Sequence, residues 1–242
     1  MYQRKRVTAV VLGAGSGSRM GAEQNKVLLP LGGRPVIWHA LHGFAAHPYV
    51  DDLVLVTRER ERAEMTGVAR GLSKPCRIVL GGETRQASVS NAIADLKSEI
   101  VAVHDGARPL VRGEDISACV EALSRYDGAI VATEVEEEIC FVKGRWGRPK
   151  RLDQSLYAAQ TPQCFHLKVL RACHDRYRGD SGITDDSQLL ELQGHRVGIV
   201  VGDPSNLKIT TPLDLLVAEA YLAQVADDGG EGVTCIEIIE VS

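Results

Sequence analysis

The stretch Val7-Thr8-Ala9-Val10-Val11-Leu12-Gly13-Ala14-Gly15-Ser16-Gly17-Ser18-Arg19-Met20-Gly21 decides the fold. Its first six residues are β-branched or aliphatic with one exception in polarity, Thr8, the composition of a strand buried on both faces. Gly13, Gly15 and Gly17 then end the run. They predict either a tight strand-to-helix turn or a cradle in which backbone N–H groups close on an anion, an approach that a Cβ would block.

Outward from this strand, Leu53–Thr57, Arg77–Leu80, Ile100–His104, Ala129–Thr133 and Arg196–Val201 read as further buried strands. Amphipathic stretches at 35–47, 60–71, 85–98, 113–125, 166–177, 185–193 and 212–224 alternate with them. That alternation predicts βαβ units and an α/β fold with a doubly wound, mostly parallel sheet. Ligands of such sheets bind outside the carboxyl ends of the strands, which directs attention to the loops after Leu12, Leu80 and His104. One segment, Glu136–Leu156, departs from the alternation. Its extended pieces Ile139–Lys143 and Lys150–Leu152 flank the turn Gly144-Arg145-Trp146-Gly147, so a projecting hairpin arm is expected. A lone hairpin buries little area and argues for a partner subunit, with an ordinary surface hairpin as the plainer alternative.

At 242 residues with 44% hydrophobic content, one large domain is expected at 1–224, carrying the arm at 136–156. Residues 225–242 then form a polar linker and a short tail whose Val233–Val241 run is strand-like. A net charge of -4 counts against a nucleic-acid-binding surface, so an anionic ligand must be met by local cations. No membrane contact is expected, because the apolar run Val7–Leu12 is too short to span. Six cysteines without C-x-x-C spacing read as reduced thiols of a cytoplasmic protein.

Two familiar explanations of the glycine loop fail. The dinucleotide fingerprint needs glycine where Ser18 stands, and the second strand ends in Thr57-Arg58 rather than an acidic residue. A Walker A loop needs Gly-Lys-Ser/Thr, which does not follow. What remains is a glycine cradle followed by Arg19 and Lys26, two cations suited to a triphosphate and its leaving pyrophosphate.

The loop 9–20, Lys26, Gly81-Gly82-Glu83-Thr84-Arg85-Gln86-Ala87-Ser88-Val89, His104-Asp105-Gly106-Ala107-Arg108-Pro109, Gln160-Thr161-Pro162-Gln163 and Asn206-Leu207-Lys208-Ile209-Thr210 occur in that order. Together they resemble the 2-C-methyl-D-erythritol 4-phosphate cytidylyltransferase family, whose near relatives include ribitol phosphate cytidylyltransferases. The resemblance covers roughly residues 7–224. It implies transfer of CMP from CTP to a polyol phosphate, in isoprenoid precursor synthesis for the methylerythritol acceptor, by a homodimer joined through the arm. By the same resemblance Leu12, Gly13, Ala14, Gly15, Gly17, Gly82, Glu83 and Ser88 hold CTP. Arg19 and Lys26 stabilise the pentavalent phosphorus, and Lys208 joins them as a catalytic residue directing the acceptor phosphate. Asp105, Arg108, Thr161 and Lys208 hold the acceptor, together with the arm positions Glu138 and Gln154.

The arm departs from the family. An Asp-Thr pair is expected where Glu137-Glu138 stands, and an arginine where Leu152-Asp153-Gln154-Ser155-Leu156-Tyr157 offers Asp153 or Gln154. A carboxylate there repels a phosphate at short range. Either Arg145, Arg148, Lys150 and Arg151 supply the charge, or the acceptor is another polyol phosphate; a non-catalytic nucleotide-binding homologue is the reading from outside the enzymes. The chemistry itself needs no general base, since the attacking phosphate oxygen is already ionised. Charge neutralisation, alignment and Mg²⁺ carry it. Asp105 is the one candidate protein ligand for that metal, and His104, ending an apolar strand, reads as structural.

Overall fold

The computed structural model describes residues 1–15, 25–137, 139–141, 150–151, 155–177, 183, 185–227 and 238–240. Among these residues the strands are β1 (Val7–Leu12), β2 (Pro30–Leu31), β3 (Arg34–Pro35), β4 (Asp52–Thr57), β5 (Cys76–Leu80), β6 (Ile100–Asp105), β7 (Gly128–Glu134), β8 (Cys140–Phe141), β9 (Lys150–Arg151), β10 (Tyr157–His166), β11 (Val197–Val201) and β12 (Ile238–Glu240). The helices are α1 (Val36–Ala46), α2 (Arg62–Val68), α3 (Arg85–Ile93), α4 (Gly113–Ala122), α5 (Leu167–Arg176), α6 (Asp186–Glu191) and α7 (Pro212–Asp227).

Eight strands form one sheet in the order β12-β11-β7-β10-β6-β1-β4-β5. β1 pairs in parallel with both β4 and β6, β4 with β5, and β7 with β11, while β10 and β12 run antiparallel to their neighbours. Alternation along β1 divides the core. Val7, Ala9 and Val11 pack under α1, α2 and α4, whereas Val10 packs under α3, α5 and α6. Each of these β1 valines is fully buried, which stabilises the fold by roughly 1.5–3 kcal/mol per side chain relative to exposure. The expected doubly wound, mostly parallel sheet is therefore present, and β1, β4, β5, β6, β7 and β11 begin and end within a residue of the runs read from the sequence.

The sequence pattern did not announce β10. It is ten residues long and lies inside the sheet between β6 and β7, although it contains Pro162 and the polar residues Gln160, Thr161 and Gln163. The pairing with β7 shifts register between Ala159 and Gln163. Proline is tolerated at such an irregularity because no ladder hydrogen bond is required of it. The strand-like tail contributes β12 to the sheet edge, on β11. The expected hairpin is seen as a separate two-stranded sheet, with Cys140 opposite Arg151 and Phe141 opposite Lys150. Its base is closed by Val135 N–H donating to Leu156 O at 2.8 Å.

Candidate active site

The chain steps from β1 to β4 to β5 on one side and then returns to β6 on the other side of β1. Loops leaving the carboxyl ends of β1 and β6 therefore part in opposite directions and open a crevice between them. Three segments meet there. Gly106 N–H donates to Leu12 O at 2.9 Å, tying the end of β6 to the end of β1, and Gly81 N–H donates to Thr57 O at 2.9 Å. A Cβ on Gly81 would lie 2.7 Å from Ala14 Cβ, so the loops after β1 and β5 are in direct contact.

The glycines serve different ends. Gly13 N–H is spent on Val56 O at 2.8 Å, and a Cβ there would meet Ile37 Cδ1 at 2.8 Å and Val56 O at 3.0 Å. Its smallness lets α1 and β4 approach. At Gly15 no described residue comes within 4 Å of the point where a Cβ would stand, the room that a ligand cradle requires. Gly82 is forced by Ala87, whose Cβ would lie 2.5 Å away. Ser88 pins this turn. Its hydroxyl accepts from Gly82 N–H at 3.0 Å and donates to Thr84 O at 2.9 Å, while Thr84 caps α3 by accepting from Ala87 N–H. Glu83 is exposed at the rim.

Lys26 opens a single 3-10 turn, Lys26–Leu28. The fully buried Asn25 fastens that turn to the root of the glycine loop, donating through Nδ2 to Gly13 O at 2.7 Å and to Glu61 Oε2 at 2.9 Å. Asn25 was not singled out from the sequence. Its signal was a capping residue directly before the lysine. Gly17, Arg19, Glu138 and Gln154 lie outside the described residues.

On the acceptor side Asp105 ends β6 and pairs with Lys208 and, at 3.6 Å, with Arg85 Nε. Burial acts to raise the Asp105 carboxyl, but Arg85 and then Lys208 hold it well below the usual carboxylate range. Thr161 stands behind it, 4% exposed. Its Oγ1 accepts from Asp105 N–H at 3.1 Å and meets His104 Nδ1 at 3.0 Å, while His104 Nε2 meets Arg108 O at 2.9 Å. A carbonyl only accepts, so Nε2 carries the hydrogen and Nδ1 accepts from the Thr161 hydroxyl. Both ring nitrogens are thereby occupied, and burial pushes the His104 pKa down to about 4. The imidazole is neutral and structural at pH 7, as its place at the end of an apolar strand indicated. Arg108 is turned inward as well, donating to Asn206 O at 2.7 Å and to Ala159 O at 3.4 Å. Asn206 is fully buried and donates to Gln160 Oε1 and Thr161 O, so it braces the same wall.

Among the described residues no group of three histidine, cysteine or acidic side chains stands together as a metal site. Asp105, the carboxylate at the end of β6, is already matched by two cations. Among the described residues the crevice thus offers cations and a carboxylate that they neutralise, an arrangement for binding phosphorylated ligands and stabilising charge rather than for proton transfer.

The 2-C-methyl-D-erythritol 4-phosphate cytidylyltransferase family model matches residues 7–224. The chain is 41% identical to the enzyme of that name from Pelotomaculum thermopropionicum, covering 93% of this chain and 99% of the relative. It is 39% identical to the one from Geotalea uraniireducens, covering 91% and 98%. Among solved structures it is similar to 4-diphosphocytidyl-2C-methyl-D-erythritol synthase from Anaerococcus prevotii, with a TM-score of 0.81 and 30% identity over 90% of this chain and 99% of that one. The crevice at the β1/β6 switch point and these matches along nearly the whole chain lead to one conclusion: the chain belongs to the 2-C-methyl-D-erythritol 4-phosphate cytidylyltransferase family.

Proposed function

We propose that the chain transfers CMP from CTP to 2-C-methyl-D-erythritol 4-phosphate, with release of pyrophosphate, in isoprenoid precursor synthesis. The observation that carries this reading is the meeting of the Gly13–Gly15 loop and the Gly81–Gly82 turn beside the Asp105–Lys208 pair. A phosphate-binding loop and a hydroxyl- and phosphate-binding pair within one crevice suit a nucleotide and a phosphorylated polyol side by side. Family membership supplies the identity of both.

Each residue's part follows from its chemistry. An acceptor phosphate oxygen, ionised at neutral pH, attacks the α-phosphorus of CTP, and the P–O bond to pyrophosphate breaks. Nothing need accept a proton, in keeping with a neutral, fully engaged His104. Lys26, joined by Arg19, neutralises charge building on the phosphoryl oxygens, and Asn25 keeps Lys26 aimed by holding its turn to Gly13. Lys208 directs the acceptor phosphate while Asp105 takes its hydroxyls, and Thr161 and Arg108 fix the wall behind them. The divalent cation that this chemistry calls for does not fit at Asp105, whose charge is spent on Arg85 and Lys208. Triphosphate oxygens suit it better, since Mg²⁺ is usually bound through substrate phosphates.

The β8–β9 hairpin stands apart from the main sheet, which supports an arm that joins two copies of the chain as a homodimer. A monomer by sedimentation removes the arm from this account. The activity is tested by measuring pyrophosphate release with CTP or UTP against a panel of polyol phosphates. Release that needs both CTP and methylerythritol phosphate is expected. Preference for ribitol phosphate assigns a different acceptor, as the Glu138 and Gln154 arm positions allow, and binding of CTP without release by any acceptor refutes the enzyme reading.

A further inference from the structure

Arg85 sits in the first turn of α3, inside the nucleotide-side segment, yet its side chain leaves that segment. Its guanidinium reaches two carboxylates on separate elements: Asp105 at the end of β6, 3.6 Å from Nε, and Asp186 in the first turn of α6, hydrogen-bonded to Nη1. Asp186 is 1% exposed and also holds His174 Nε2 of α5 at 3.0 Å. Asp185, next to it, caps α6 by accepting from Ser187 N–H at 2.8 Å and accepts from Gln163 of β10 at 2.7 Å. The result is a strut that runs from α5 and α6 through Arg85 to Asp105 and ends at Lys208.

We propose that Arg85 is a positioning residue: anchored on the buried Asp186–His174 pair, it holds the Asp105 carboxylate in place for the acceptor and links the nucleotide-side helix α3 to the acceptor side of the crevice. A guanidinium suits this task because its planar fork binds two carboxylates at fixed angles, which a single ammonium does not. Burial of Asp186 makes the anchor rigid. Burial acts to raise that carboxyl, yet Arg85 and then His174 hold it below its ordinary value, so it stays charged at the far end of the strut. Without Arg85, Asp105 would keep Lys208 as its direct partner, with Arg108 as a more distant cation and His104, Thr161 and the strand itself as neutral neighbours among the described residues. Asp185 and Asp186, the other carboxylates whose charge acts on Arg85, would lose the cation they share with Asp105.

The inference rests on the proposed function for its kinetic readout, so a second readout in the unliganded protein is paired with it: the carboxyl-carbon NMR titration of Asp105. In Arg85→Met the Asp105 midpoint is expected to rise by about one pH unit or more. The same variant is expected to lose on the order of tenfold or more in kcat/KM for the acceptor, because small displacements of a positioning group are costly, while KM for CTP holds to within about twofold. Arg85→Lys restores most of the titration shift, because charge remains nearby, but only part of the acceptor kcat/KM. Asp186→Asn reproduces the kinetic pattern in weaker form and decides the matter if Arg85→Met fails to fold. An unchanged Asp105 midpoint in folded Arg85→Met overturns the proposal, as does a loss confined to KM for CTP, which would make Arg85 a nucleotide ligand. A wild type inert toward every polyol phosphate refutes the function instead, and the titration still decides the strut.

Discussion

Lowering the pH from neutrality charges His104 in the unfolded chain well before it can charge in the folded one. The side chain is fully buried, its Nε2–H is committed to Arg108 O and its Nδ1 to the Thr161 hydroxyl. A second proton would set two donors against each other at Nδ1. Burial accordingly pushes the pKa down to about 4 from the ordinary 6.5. With the folded value depressed for a base, the unfolded state binds more protons between these limits, so stability rises with pH across the window and is lost as pH falls from 6.5 toward 4. Between pH 7 and pH 5 the loss amounts to about 2 kcal/mol from this residue alone. Urea unfolding of the wild type and of His104→Gln at the two pH values isolates it. The variant is less stable throughout, having lost the Thr161 hydrogen bond and contact with Phe44, but its stability should fall by about 2 kcal/mol less on acidification. Equal losses in the two proteins would show that His104 takes up its proton alike in the folded and unfolded states and would reopen its candidacy as a base.

Asp115 should behave with the opposite sign. Burial raises its carboxyl to about 6, so ionisation above that range costs stability. Asp115→Asn should therefore stabilise the protein at pH 7 by about 1–2 kcal/mol, less than the shift alone implies because the first turn of α4 favours a negative charge. That gain should vanish below about pH 4, and thermal melts across the range will show whether it does. Lys26→Ala and Arg19→Ala should each lower kcat by at least about two orders of magnitude with the fold intact, as expected for loss of one preorganised charge worth about 2.7–4 kcal/mol; near-normal turnover refutes the phosphate-side assignment. Gly13→Ala should lower stability by about 1–3 kcal/mol through its clash with Ile37 and Val56 O, whereas Gly15→Ala should leave Tm nearly unchanged and show any deficit in KM for CTP. Similar Tm shifts in both would remove the distinction between a packing glycine and a ligand-facing one.

Periodicity made most of the fold legible. Runs such as Val7–Leu12 and Ala129–Thr133 are largely apolar because both of their faces are covered along most of their length, and that requirement is written locally, in consecutive residues. The ordered glycine, Lys26, Asp105 and Lys208 motifs pointed to the crevice in one dimension, and chain order alone placed their loops at carboxyl ends of parallel strands. The tertiary structure decided the rest. β10 escaped notice because Gln160, Thr161 and Gln163 are polar residues inside a sheet, a placement made acceptable only by distant partners: Asn206 for Gln160, His104 and Asp105 for Thr161, Asp185 for Gln163. Thr161, expected to face the acceptor, engages its hydroxyl with Asp105 N–H and His104, and Arg108 directs Nη1 and Nη2 to Asn206 O and Ala159 O. The packing demand on Gly13, set by Ile37 and Val56, is invisible in one dimension. Arg85 stands beside the glycine turn in sequence, yet works on carboxylates far along the chain, at Asp105 and Asp186. Hydrophobic burial is a property of each residue and leaves its mark in the sequence; hydrogen bonds and ion pairs are properties of partners, and only the fold determines which partners meet.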